Sequence, residues 1–267
     1  MKIVFAEPIG MSNNKKVEFA YEMQKKGHNV VYYDKPNADQ DELHARIADS
    51  DILALSNQPI SSATILKLEK LKMISVAFTG VDHLPMEQCK QKNITVCNAA
   101  GYSTSAVAEL TISMAISLIR KVVELDSSTR TGRTREGFLG GELHGKTFGI
   151  VGLGAIGEKV AQFANAFGCN VIAYTRTPKE VEGVTLVDLE ELFSAADIVS
   201  LHIPATAKTI GIVNSGLISK MKKNAVLINT ARGTLVDYSA LAKSIRSGLI
   251  AGAAVDVYEN EPPIEKD

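Results

Sequence analysis

The chain has 267 residues, enough for two ordinary domains, and 45% of them are hydrophobic, enough to build two cores. Lys and Arg number 29 against 30 Asp and Glu, and no dense basic run occurs, which removes the electrostatic case for nucleic acid or an anionic membrane surface as partner. Cys89, Cys97 and Cys169 are odd in number and none stands at a CxxC spacing, and the 5 histidines are scattered, so neither a disulfide framework nor a metal site is expected.

Near the start, Glu7 interrupts a short apolar run, and no stretch approaches the apolar length of a membrane span; a soluble cytoplasmic protein is expected. Apolar runs then alternate with amphipathic stretches. Strands are predicted at residues 3–6, 29–33, 51–55 and 73–78, and helices at 15–26, 40–48 and 65–71, the first ended by Gly27. A long helix is predicted over 104–123, with Val107, Leu110, Ile112, Ala115, Ile116 and Ile119 as its apolar positions, followed by a polar, glycine-containing stretch at 126–146. The alternation restarts with strands at 147–151, 170–174, 198–202, 225–229 and 251–257. Strands alternating with helical patterns predict an α/β protein with parallel sheets, in two units, 1–98 and 99–267.

The most informative motif is Gly152-Leu153-Gly154-Ala155-Ile156-Gly157, between a buried-strand pattern and a helix expected over 158–167. There the first glycine permits a tight turn, the second lets the backbone approach a pyrophosphate, and the third allows close helix–strand packing. The phosphates would face backbone N–H groups at a helix N-terminus. A competing pattern, Gly140 to Thr147, satisfies the P-loop signature. A P-loop must follow a strand and open a helix, whereas Lys146-Thr147 leads into a strand, so an NTPase is not expected. At the end of the second strand, where NAD sites commonly carry an acidic residue for the ribose, the chain has Thr175 and then Arg176. Loss of the carboxylate and gain of a guanidinium suit a 2′-phosphate and tilt the expectation to NADP, with NAD as the alternative.

Five segments carry a family resemblance: Thr79-Gly80-Val81-Asp82, Ala106-Val107-Ala108-Glu109-Leu110, Gly145 to Gly157, Asn229-Thr230-Ala231-Arg232-Gly233, and Asp256-Val257-Tyr258-Glu259-Asn260-Glu261-Pro262. With them the chain resembles the D-isomer-specific 2-hydroxyacid dehydrogenases, which include phosphoglycerate and glyoxylate/hydroxypyruvate reductases. The resemblance implies two doubly wound parallel-sheet domains, a flavodoxin-like substrate domain over 1–98 and a Rossmann cofactor domain over 99–267. It implies hydride transfer between a nicotinamide cofactor and a small 2-keto or 2-hydroxy acid bound in the cleft between the domains. Arg232 would hold the substrate carboxylate and carbonyl, and Glu261 would orient a histidine general acid. Gly80 and Val81 would receive the carboxylate on their amides, with Asn57 on the other substrate-facing loop. Ile203, Pro204, Thr230, Ala231 and Asp256 would line the cofactor.

The family's catalytic histidine stands in a Pro-His motif downstream of the glutamate, and this sequence reaches Asp267 before such a motif. The expectation is an incomplete chain; the alternative is a shortened protein that binds cofactor and turns over poorly. His202 is expected to be a packed or hydrogen-bonded histidine. The resemblance also implies a homodimer formed through the long helix and the stretch after it. A non-catalytic, dinucleotide-sensing protein of the corepressor type is the rival class, because the fold alone does not fix function.

Overall fold

The chain builds two separate parallel sheets, in a computed structural model that describes residues 1–261 and Pro263. Contacts group the chain into one unit over Met1–Tyr102 and another from Ser103 onward.

The first unit runs β1 (Lys2–Phe5), α1 (Asn13–Lys25), β2 (Asn29–Tyr32), α2 (Gln40–Ile47), β3 (Ile52–Leu55), α3 (Ser62–Lys67), β4 (Met73–Val76), α4 (Met86–Gln91) and β5 (Thr95–Asn98). Its strands lie in the order β2-β1-β3-β4-β5, all parallel. This is the flavodoxin-like order, with its switch point between β1 and β3. Alternate strand residues serve opposite faces. Val4, Leu53 and Ile74 pack with Ile47, Ile65 and Leu68, while Ile3, Phe5 and Ala54 pack with Phe19 and Tyr32. Burial on both faces explains why these strands read as continuous apolar runs.

The helix expected over 65–71 lies earlier, at α3. The Ser61 side chain accepts the Thr64 amide at 3.0 Å and starts the helix, and Leu68, at ψ 121°, has already left it. The short α4 had no periodic pattern long enough to be read.

The second unit runs α5 (Thr104–Arg120), α6 (Val122–Arg130), β6 (Thr147–Val151), α7 (Ala155–Ala166), β7 (Asn170–Tyr174), β8 (Val184–Leu186), α8 (Leu189–Ala195), β9 (Ile198–Leu201), α9 (Ser215–Ile218) and β10 (Val226–Asn229). A 3-10 turn at Gly233–Leu235, α10 (Tyr238–Arg246) and β11 (Gly252–Val255) follow. The strand order is β11-β10-β9-β6-β7-β8, all parallel. Counted from β6, this is the 3-2-1-4-5-6 order of dinucleotide-binding folds, and its direction reverses between β6 and β9. The glycine turn therefore leaves the sheet at the switch point.

Helix α5 buries Ala108, Thr111, Ile112 and Ala115, an i, i+3, i+4, i+7 stripe, and shares a core with Val160, Ala161 and Ala164 of α7. The single helix expected over 104–123 is broken. Lys121 turns left-handed at φ 57°, its amide bonding back to Leu118 and Ser117, and α6 starts just beyond it, at Val122, and runs on into the polar stretch expected over 126–146. Val122 and Val123, which extended the apolar pattern in the sequence, are exposed. Among the described residues, no helix is long and apolar enough to cross a membrane.

Candidate active site

The three glycines of the turn meet three different demands. Gly152 has φ 105°, and a Cβ there would lie 2.6 Å from both the His202 carbonyl oxygen and Ile203 Cγ2. Gly157 faces backbone: a Cβ would sit 2.0 Å from the Gly152 carbonyl oxygen, so α7 packs directly on the turn. Gly154 is the opposite case, with nothing within 4 Å of a Cβ position. Its openness leaves room for a ligand to approach the backbone. Gly154 is also the N-cap of α7 and offers no side-chain capping bond. The amides of Ala155, Ile156 and Gly157, the first turn of a helix of 12 residues, are thus left for an anionic partner. A dinucleotide pyrophosphate fits this cradle. The helix begins at Ala155, three residues before the start expected from its polar pattern. The overlapping P-loop pattern forms nothing comparable. The Gly145 amide donates to the Gly168 carbonyl at 2.8 Å, and Thr147 is the first residue of β6.

Beside the turn, at the end of β7, Thr175 is half-buried and Arg176 exposed. Thr175, Tyr174, Pro178, Leu186 and Glu191 line a pocket of about 340 Å³. Lys179 pairs with Glu158 of α7, tying the β7 loop to the helix that follows the turn. After β9 come Ile203, packed in the core around Val151 and Leu201, and the exposed Pro204, whose carbonyl accepts the Thr209 hydroxyl at 2.7 Å. His202 places its Nε2 3.1 Å from the Ser200 hydroxyl. Burial drives its imidazole down to about 4, so the ring is neutral at ordinary pH.

The loops after β10 and β11 are bound to each other. Asn229, fully buried at the end of β10, donates to the Arg232 carbonyl at 2.8 Å and accepts the Ala231 amide at 3.1 Å. This clamps the residues from Thr230 to Arg232, and the Thr230 hydroxyl also meets Thr111 of α5 at 3.1 Å. The half-buried Arg232 donates to the Ala231 carbonyl at 2.7 Å. Gly233 then passes so close to the next loop that a Cβ would lie 2.0 Å from the Tyr258 carbonyl oxygen. Tyr238 bridges the same gap, donating to the Val257 carbonyl at 2.9 Å. Burial pushes its phenol up against the opposing hydrogen bond from Asn229, and the nearby Tyr258, Glu261 and Glu259 add to the rise, so it remains a donor. Glu261 accepts the Tyr258 amide at 3.1 Å, and Asp256, exposed just past β11, donates its amide to the Asn229 carbonyl at 3.0 Å. Pro262 lies outside the described residues. Asn229 and Tyr238, which hold these loops, were not assigned roles from the sequence; their signal is a buried Asn at a strand end and a Tyr opening a helix, neither of which points to a loop tie by itself.

In the first unit, Asn57 follows β3, and Gly80 and Val81 follow β4, all at the carboxyl edge of that sheet. Asn57 is exposed, and the amides of its neighbours Ser56 and Gln58 donate to Oε1 of Glu7 at 2.7 and 3.1 Å. The Val81 carbonyl accepts the Leu84 amide at 3.0 Å, turning the chain after β4.

A family model described as D-isomer specific 2-hydroxyacid dehydrogenase, NAD binding domain, matches residues 112–267. The chain is 43% identical over 231 residues to the D-3-phosphoglycerate dehydrogenase of Methanocaldococcus jannaschii, covering 84% of this chain and 44% of that one. It is 34% identical to the glyoxylate reductase of Thermococcus litoralis, covering 98% of this chain and 81% of that one. It thus spans about half the length of the phosphoglycerate dehydrogenases it matches. A solved acyclic imino acid reductase in complex with NADPH and D-Arg superposes with a TM-score of 0.91 at 33% identity, over 99% of this chain and 85% of that one.

The depressed imidazole of His202 has a consequence for stability. Its folded value of about 4 lies below the ordinary 6.5. The unfolded chain therefore binds the extra proton first, and stability falls as pH drops from 6.5 toward 4. Chemical unfolding of the native protein and His202→Asn across that range should show the native protein losing stability faster. Parallel curves, or an imidazole resonance titrating near its ordinary value, would contradict the assignment.

Proposed function

This chain belongs to the D-isomer specific 2-hydroxyacid dehydrogenases, and we propose that it transfers a hydride between a nicotinamide cofactor and a small 2-keto or 2-hydroxy acid of the D series. The observation that carries this reading is the tie between two loops. Arg232 stands just past the carboxyl end of β10, where α/β sheets place ligands, in a loop locked to the loop of Glu261 through Gly233 and Tyr258. A cation and a carboxylate are thereby held on the same edge as the glycine turn.

A nicotinamide dinucleotide, when bound, supplies the hydride; the chain orients and polarises. The glycine turn and the amides of Ala155 and Ile156 hold its phosphates, with Thr175, Arg176, Ile203, Pro204, Thr230, Ala231 and Asp256 around the rest. The Arg232 guanidinium grips the substrate carboxylate and carbonyl oxygen in a bidentate manner and draws electron density from C2. The Gly80 and Val81 amides receive the carboxylate, and Asn57 faces the substrate. Glu261 orients an imidazole of the kind the family carries downstream of this glutamate. That imidazole gives its proton to the carbonyl oxygen in reduction and takes one from the hydroxyl in oxidation. His202 does not take this part: it is neutral and engaged with Ser200. The same reading makes the protein a cytoplasmic homodimer. Its three cysteines are free, as a reducing compartment would keep them, and Val122 and Val123 leave apolar surface where α5 meets α6.

In the full-length protein, Arg232→Ala should lower kcat/KM for a 2-keto acid by about 10²–10³-fold while leaving dinucleotide affinity unchanged. Arg232→Lys should recover only part of the loss, since an ammonium lacks the planar fork. Wild-type rates in Arg232→Ala would refute the role. For the cofactor, Thr175 and Arg176 favour NADPH. Arg176→Ala should weaken NADPH binding about tenfold, the worth of one charge-assisted hydrogen bond, and leave NADH binding as it was. Equal effects on both would contradict the preference.

A further inference from the structure

The loop after β3 is held by a carboxylate from another strand. Glu7 follows β1, is only 6% exposed, and its Oε1 accepts the amides on both sides of Asn57. β1 and β3 are the two strands at which the order of the first sheet reverses. In such sheets that crevice, with its outward-facing loop amides, is where anionic ligands settle. Here the chain's own carboxylate already occupies those amides. A buried carboxylate is costly unless it is hydrogen-bonded, so these two bonds fix the peptide planes flanking Asn57.

Nearby polar groups brace the same loop. Arg46, 8% exposed, directs its guanidinium to the carbonyls of Ala6 and Lys35, at 2.7 Å each, and to Glu42. It thereby fastens the segment leading into Glu7. The Gln58 side chain donates to the Asn37 carbonyl at 2.9 Å.

We propose that Glu7 is a positioning residue for substrate recognition: an internal anion that fills the switch point of the first sheet and aims Asn57 outward. It follows that a substrate carboxylate does not bind the Ser56 and Gln58 amides and is received elsewhere, as the amides after β4 would do. The inference rests on the reading of Asn57 as substrate-facing.

Glu7→Ala and Glu7→Gln in the full-length protein test it through three readouts. In Glu7→Ala, hydrogen exchange at the Ser56 and Gln58 amides should quicken at least about tenfold, as loss of a bond to a charged acceptor implies. KM for the 2-keto acid should rise by about the same factor, with kcat and dinucleotide affinity unaltered. Added formate, which can re-enter the vacated space, should restore both, and chloride at equal ionic strength should not. Glu7→Gln keeps an acceptor oxygen and should stay near the native protein in both measures. Unchanged exchange and KM in Glu7→Ala overturn the proposal. So does a joint fall of kcat and dinucleotide affinity without formate rescue, the mark of a general folding defect. If the native protein reduces no 2-keto acid, the functional reading fails on its own account. Exchange at Ser56 and Gln58 with and without formate then still decides whether Glu7 anchors the loop.

Discussion

At the centre of the second unit, the carbonyl of Gly152 occupies the space that any side chain at position 157 would need. That contact brings the start of α7 directly onto the end of β6. Because β6 lies at the switch point, it also aims the uncapped amides of α7 into the crevice where the sheet reverses. The close approach of Gly152 to the His202 carbonyl and the Ile203 side chain closes the other side. Two close approaches thus shape the cradle, and the absence of a side chain at Gly154 leaves it open. Burial of α5 against α7 supports the same helix from behind, through small residues such as Ala108, Ala115, Ala161 and Ala164 that let the backbones approach.

The same device recurs at the edge that bears the charged residues. Gly233 lets the loop after β10 press on the backbone of Tyr258; Asn229 pins that loop through the Arg232 carbonyl and the Ala231 amide, and Tyr238 ties it to the next loop through the Val257 carbonyl. Polar groups at the end of a buried strand need partners. Here those partners are the backbones that carry Arg232 and Glu261, so satisfying the core and positioning the charges are one arrangement. In the first unit Glu7 does for Asn57 what Asn229 does for Arg232, with a charge in place of an amide.

Much of this was legible in the amino-acid order where local pattern and burial coincide. β6 and β7 fall on the residues expected, because both are apolar runs bounded by glycines that turn at positive φ, Gly145 and Gly168. The glycine turn was readable because each glycine answers a distinct steric demand. The break at Lys121 was not, since a lysine in the left-handed region carries no sequence signature and the valines after it prolong the apolar pattern. The ties made by Glu7, Asn229 and Tyr238 were not legible either. Glu7 meets Ser56 and Gln58 across about fifty residues of chain, and Tyr238 meets Val257 across nineteen; periodicity does not see such distances.

The central claim is that the first turn of α7 holds the phosphates of a nicotinamide dinucleotide. Titrating NADPH into the ¹⁵N-labelled protein while following backbone amides tests it directly. The account predicts the largest shifts at Gly154, Ala155, Ile156 and Gly157, with Ile203 and Ala231 moving alongside. Binding that leaves these amides still, or shifts centred instead on Gly145 to Thr147, would contradict it.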